Sequence, residues 1–145
     1  AHADLLLDNL PYNAHTTTSD ALWAGVPVVT CMGKAFAGRV AASLLNAVGL
    51  PELVTHSLPE YEALALRLAT NAHELQRLRA HLKAVRSSTP LFDTERFTRD
   101  LESAYVHMHE RRLQGLPPEG FAVPEILGAG MQPLRSVPPS LQTSP

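Results

Sequence analysis

The sequence predicts an α/β fold in which a parallel sheet carries helices on both faces. Three observations predict it. Two apolar runs, Leu5-Leu6-Leu7 and Pro27 to Cys31, are each followed by a loop and a stretch that reads as helix. A third short run, Leu53-Val54-Thr55, comes after Gly49, so the order is βαβαβ, which right-handed crossovers turn into a parallel sheet. From Leu58 onward the apolar spacing becomes helical throughout. The expected division is residues 1–57 for the βαβαβ part, 58–115 for helices of the same domain, and 116–145 for an extended, mobile tail.

Residues 3–8 form the first expected strand, apolar on both faces like a central strand covered from both sides. Asn9 to His15 is a polar, Pro-punctuated loop. A helix is expected from about Thr17 to Ala24, with Gly25 as the left-handed residue that closes it. Pro27 opens strand two, whose β-branched middle suits a sheet. Between Gly33 and Gly49 a second loop leads into a helix, with Val40, Leu44 and Val48 four apart on one face. Ser57-Leu58-Pro59-Glu60 reads as a capped helix start. Tyr61, Leu64 and Leu68, and after them Leu75, Leu78, Leu82 and Val85, continue one stripe that Asn71 breaks into two helices. Asp93 or Thr94 caps a last helix with Phe97, Leu101, Tyr105 and Met108 on one face. Seven of the twelve prolines fall after Gly115, where no periodicity survives.

A length of 145 residues allows one core, and a formal charge of −2 argues against a dedicated nucleic-acid surface. No apolar run approaches the roughly 20 residues of a membrane span, and the N-terminus has no basic-then-apolar leader. The single cysteine, Cys31, excludes an internal disulfide and reads as a buried thiol, in keeping with a reducing cytoplasm. The chain starts Ala1-His2-Ala3, without Met, and almost directly on a strand that needs neighbours. The expectation is a fragment of a longer chain.

The constellation with chemical promise is the first loop–helix junction, from Asn13 to Asp20. A helix's first amides have no partner within the helix, and its dipole places about half a positive charge there. His15, Thr16 and Thr17 set an imidazole and two hydroxyls beside those amides, a donor set for a diphosphate without lysine or metal. Asp20, about one turn on, suits the two hydroxyls of a ribose. Thr17 and Asp20 also match a capping box that satisfies only the helix itself, and a capped start can still present amides. His15 alone would read as a surface histidine, Trp23 as a core or interface residue, and Lys34 and Arg39 as solvated charge beside the second junction. The remaining histidines lack metal-ligand spacing, and neither a Gly-x-Ser-x-Gly elbow nor a Walker loop is present.

The run Asp8-x-x-Pro11-x-Asn13-x-His15-Thr16-Thr17-x-x-Asp20-x-Leu22-Trp23-Ala24-Gly25-x-Pro27 resembles the C-terminal part of protein O-linked N-acetylglucosamine transferases. The likeness continues through Arg39-Val40-Ala41-Ala42-Ser43, Glu60-Tyr61-Glu62 and Pro90-Leu91-Phe92 and covers roughly residues 3 to 123, nearest to the bacterial, stand-alone type. The resemblance implies a GT-B fold, with this chain forming most of the Rossmann-like C-terminal half. It implies an inverting, metal-independent transfer of N-acetylglucosamine from UDP-GlcNAc to Ser or Thr hydroxyls of proteins, with no cofactor. His15, Thr16 and Thr17 would contact the diphosphate and Asp20 the ribose. Tyr12, with His15, would line the sugar pocket, at a position where the family often has a smaller residue. The implied partners are the N-terminal half of the catalytic region and tetratricopeptide repeats upstream, and acceptor proteins; no nucleic acid and no membrane are expected. The family's histidine of the N-terminal half, and the Gln, Lys and His that hold uracil and phosphate, lie outside this sequence, so no general base is assigned. Two other readings compete. One keeps GT-B chemistry with another UDP-sugar or acceptor, as Tyr12 suggests; the other is a non-catalytic interaction module whose helical half binds a partner.

Overall fold

The computed structural model describes residues 3–123; the end of the expected tail, residues 124–145, lies outside them. Three parallel strands, β1 (Leu6–Leu7), β2 (Val28–Cys31) and β3 (Val54–Thr55), lie in the order β1-β2-β3. Leu6 pairs with Val28 and Leu7 with Val29, while Thr30 pairs with Val54 and Cys31 with Thr55. The central strand is thus β2, and its successive Val28 and Val29 are fully buried, as a strand covered on both faces requires. The first strand is shorter than residues 3–8, and within the described residues it is an edge strand with Leu7 half exposed.

Helix α1 (Thr16–Trp23) follows β1, and Gly25, at φ 78°, takes the left-handed turn that leads into β2. Helix α2 (Val40–Ala47) is preceded by a short 3-10 turn, Phe36–Gly38, and buries Ala41, Ala42 and Leu45, with Val48 just beyond. Its inward face is therefore turned by one position from the expected one, and Val40 and Leu44 are only half-buried. Helix α3 (Leu58–Thr70) starts at the predicted cap: the Glu60 N–H donates to Ser57 Oγ, and the Glu60 carboxylate accepts from the His56 N–H. Asn71 both ends α3 and caps α4 (Ala72–Val85), its Oδ1 accepting the Glu74 N–H at 3.0 Å.

The core joins Leu22, Val28, Val29, Leu45 and Val48 to Leu64, Leu68, Leu78 and Leu82. Both α3 and α4 thus turn their predicted leucine stripe inward. Trp23 is not in this core. It is half exposed, meets Phe92 edge-on at 5.0 Å, and carries the Arg86 guanidinium 4.8 Å above its ring.

The residues from Arg99 onward form a second compact unit. It contains most of α5 (Thr94–Leu113), whose start is capped by Asp93 through the Arg96 N–H. In this unit Arg111 reaches the Pro117 carbonyl and the Glu119 carboxylate, and His107 packs on Phe121 at 4.3 Å. Among the described residues, no helix is long and apolar enough to cross a membrane.

Candidate functional site

Because the three strands are parallel, the segments that follow them emerge at one end of the sheet, where open α/β sheets bind ligands. Two of these segments meet. The first runs from Asp8, at the end of β1, to the tip of α1; the second runs from Met32, at the end of β2, to Arg39.

Asp8 is the anchor of the first segment. It is buried, and its Oδ1 accepts the N–H groups of Asn9 (2.9 Å) and Ala14 (2.7 Å), while Oδ2 accepts the Thr30 hydroxyl at 2.6 Å. A buried carboxylate with three donors is well compensated for its loss of hydration. The network extends outward: the Tyr61 hydroxyl donates to the Asp8 carbonyl at 3.0 Å, and the Thr55 hydroxyl donates to the Thr30 carbonyl at 2.8 Å. Burial first, then the nearby Asp8 and Cys31, raises the Tyr61 phenol above its ordinary 10.0.

Asn13 holds the same segment from its middle. Its N–H donates to the Ala37 carbonyl at 2.9 Å, and its Nδ2 donates to the Asn9 carbonyl at 3.2 Å. The second segment is closed on itself by Gly33 N–H to Gly38 O at 2.7 Å and Gly38 N–H to Ala35 O at 3.0 Å. Gly38 lies so close to its neighbour that a Cβ there would meet the Pro11 carbonyl oxygen at 3.0 Å. Glycine lets the two segments touch without either backbone having to shift.

These braces present the tip of α1. His15 is its N-cap residue, no side chain caps the helix, and no acidic side chain stands in its first turn. The capping box expected from Thr17 and Asp20 does not form, because the helix begins at Thr16 and Thr17 already lies inside it. Thr16, Thr17 and Asp20 are exposed, so the tip is open to solvent with both hydroxyls beside it. Thr18, by contrast, is fully buried and faces inward. The His15 ring stacks on Tyr12 (centroids 4.9 Å apart, planes at 21°) and meets Phe36 at 6.3 Å, close to perpendicular. Its Nε2 lies 3.4 Å from the Ala37 carbonyl oxygen.

The structure thus brings Tyr12, His15, Thr16 and Thr17 together and sets Asp20 on the same helix, one turn further along. Lys34 and Arg39 are exposed on the neighbouring segment. Sequence reasoning gave no role to Asp8, Asn13, Thr30 or Phe36. Asp8 carried a signal in being the only charged residue closing an apolar strand; Phe36 carried none. Beside Phe36, a cavity of about 470 Å³ opens between the second segment and α2, lined by Met32, Arg39, Val40, Ser43 and Asn46.

Residues 1–101 match the family described as glycosyl transferase family 41. The chain is 44% identical over 124 residues to the probable UDP-N-acetylglucosamine–peptide N-acetylglucosaminyltransferase SEC of Arabidopsis thaliana, covering 85% of this chain and 13% of that protein. It is 42% identical over 115 residues to the UDP-N-acetylglucosamine–peptide N-acetylglucosaminyltransferase of Caenorhabditis elegans, covering 79% of this chain and 10% of that one. Among solved structures, a mutant O-GlcNAc transferase of Thermobaculum terrenum superposes with a TM-score of 0.74 at 45% identity, over 77% of this chain and 22% of that one. The chain therefore spans only about a tenth of the length of these curated relatives. The fold is the Rossmann-like α/β arrangement of a GT-B glycosyltransferase, as the resemblance implied, and its parallel sheet and flanking helices are those described above. Fold, matched residues and relatives agree: the chain belongs to glycosyl transferase family 41.

Proposed function

We propose that this chain is the C-terminal, UDP-sugar-binding part of an inverting, metal-independent glycosyltransferase that moves N-acetylglucosamine from UDP-GlcNAc to Ser or Thr hydroxyls of proteins. The observation that carries the reading is the open, uncapped tip of α1 with Thr16 and Thr17 exposed beside it. Free amides, two hydroxyls and the His15 imidazole supply donors to the diphosphate, and the helix dipole adds to their pull. These donors act most strongly as negative charge builds on the departing UDP, which is how such a site lowers a barrier. Asp20, a turn away, accepts hydrogen bonds from the ribose hydroxyls. Tyr12 and His15 border the sugar. The general base is not among the assigned residues. The N-terminal half of the catalytic region, with tetratricopeptide repeats and acceptor proteins, completes the working enzyme in the cytoplasm. Alone, these residues bind UDP weakly and transfer nothing.

Calorimetric titration of the full-length protein with UDP tests the assignment. Asp20→Ala and Thr17→Ala are expected to weaken binding by about 10-fold each, the scale of one hydrogen bond to a charged or strongly polar partner. Parent binding that neither substitution weakens would refute these roles.

A further inference from the structure

We propose that Phe36 is the platform on which the sugar ring of the donor packs, and that it helps set which sugar is accepted. This deepens the UDP-sugar reading above and rests on it. Phe36 is 82% exposed, the most exposed large apolar side chain among the described residues. It does not sit on a loose loop. The segment that carries it is closed by the Gly33–Gly38 and Gly38–Ala35 backbone bonds, tied to the first segment by the Asn13–Ala37 bond, and packed at Gly38 against Pro11. A large aromatic ring carried on a braced turn and left unpacked by the rest of the described residues stands at the ligand end of the sheet.

The donor's own order of parts points to what would meet it. A UDP-sugar runs from ribose to diphosphate to sugar. With the ribose at Asp20 and the phosphates on the first turn of α1, the sugar continues past His15, away from Asp20. Two aromatic rings flank His15 there. Tyr12 gives one face to its stack on the imidazole, whereas Phe36 meets the imidazole edge to face and keeps ring surface free. A pyranose presents apolar C–H groups on its faces, and an aromatic ring is their natural partner. The diphosphate needs no help from Phe36, so its contribution falls on the sugar alone.

The test compares the full-length enzyme with its Phe36→Ala and Phe36→Tyr variants, using UDP affinity by calorimetry and steady-state kinetics with UDP-GlcNAc and UDP-glucose. Because the side chain lies outside the core of the described residues, Phe36→Ala is expected to shift the melting temperature by less than a core truncation such as Leu68→Ala. It should raise the KM for UDP-GlcNAc about 3- to 10-fold, the scale of one aromatic contact, shift the preference between the two donors, and leave UDP affinity within about twofold. Phe36→Tyr, which keeps the ring, should restore the parent values. An unchanged donor KM and preference overturns the inference, as does a change confined to the acceptor KM. Equal weakening of UDP and UDP-GlcNAc also overturns it, since Phe36 would then act through the shape of the helix tip. If UDP fails to bind the parent, the underlying site reading falls instead, and the two failures are told apart by that measurement.

Discussion

The α3–α4 pair and the two segments around the tip of α1 are built on opposite physical terms. The core of the helix pair is apolar: Leu64, Leu68, Leu78 and Leu82 are buried with no side-chain polar group to satisfy, and the Arg67–Glu74 ion pair at 3.2 Å lies at the surface. The segments around the tip contain few buried apolar side chains and are held by the Asp8 carboxylate, the Asn13 amide and a ring of backbone bonds. Apolar burial is strong and without direction, which suffices for a scaffold. Hydrogen bonds to a buried carboxylate are directional, and they fix where a donor group points. The comparison teaches that stability and aim are allotted to different residues in this fold.

Breaking the scaffold side should give the largest effect. Leu68→Ala removes a fully buried side chain from the α3–α4 seam and is expected to cost about 2–5 kcal/mol in chemical denaturation. Below its melting point it should leave UDP affinity within about twofold; a large affinity loss there would erase the distinction. Asp8→Ala attacks the other side. It leaves the Asn9 and Ala14 amides and the Thr30 hydroxyl without their acceptor, for a loss of about 3 kcal/mol. In this case UDP affinity should fall along with stability, because Ala14 directly precedes the His15 cap. Asp8→Asn should be milder, since the Thr30 hydroxyl can turn round and accept from the new amide. Equal affinity in Asp8→Ala and Leu68→Ala would mean that the carboxylate only stabilises.

The smallest expected effect sharpens the comparison at its border. Tyr61→Phe deletes the bond to the Asp8 carbonyl and should cost about 1 kcal/mol. The parent should also show an alkaline signature. The phenol titrates higher in the folded protein than in the unfolded chain, so its contribution is complete below about pH 10 and declines as pH rises through the folded value. Stability profiles of parent and Tyr61→Phe should therefore converge above pH 10.

The scaffold side was largely legible in the sequence, because the spacing of Leu64 to Leu82 and the caps at Ser57 and Asn71 are local signals. The site side was half legible. His15, Thr16, Thr17 and Asp20 are local to one helix start, and they could be named. The bonds that aim them are not local: Asp8 to Thr30 spans two strands, and Asn13 to Ala37 spans two loops. The turn of α2 by one position escaped because apolar residues occur on several sides of it, so a spacing of four did not select the face: Ala41 and Leu45, not Val40 and Leu44, face inward. The capping box failed because α1 begins one residue early, at a cap that uses no side chain.

The contact of Gly38 with Pro11 reaches beyond local packing. It makes the ends of two successive βα units behave as one cassette, in which neither loop can be exchanged without the other. Transplanting residues 9–15 and 33–39 together into a related enzyme should carry donor preference with them, whereas moving either stretch alone should misfit at this seam.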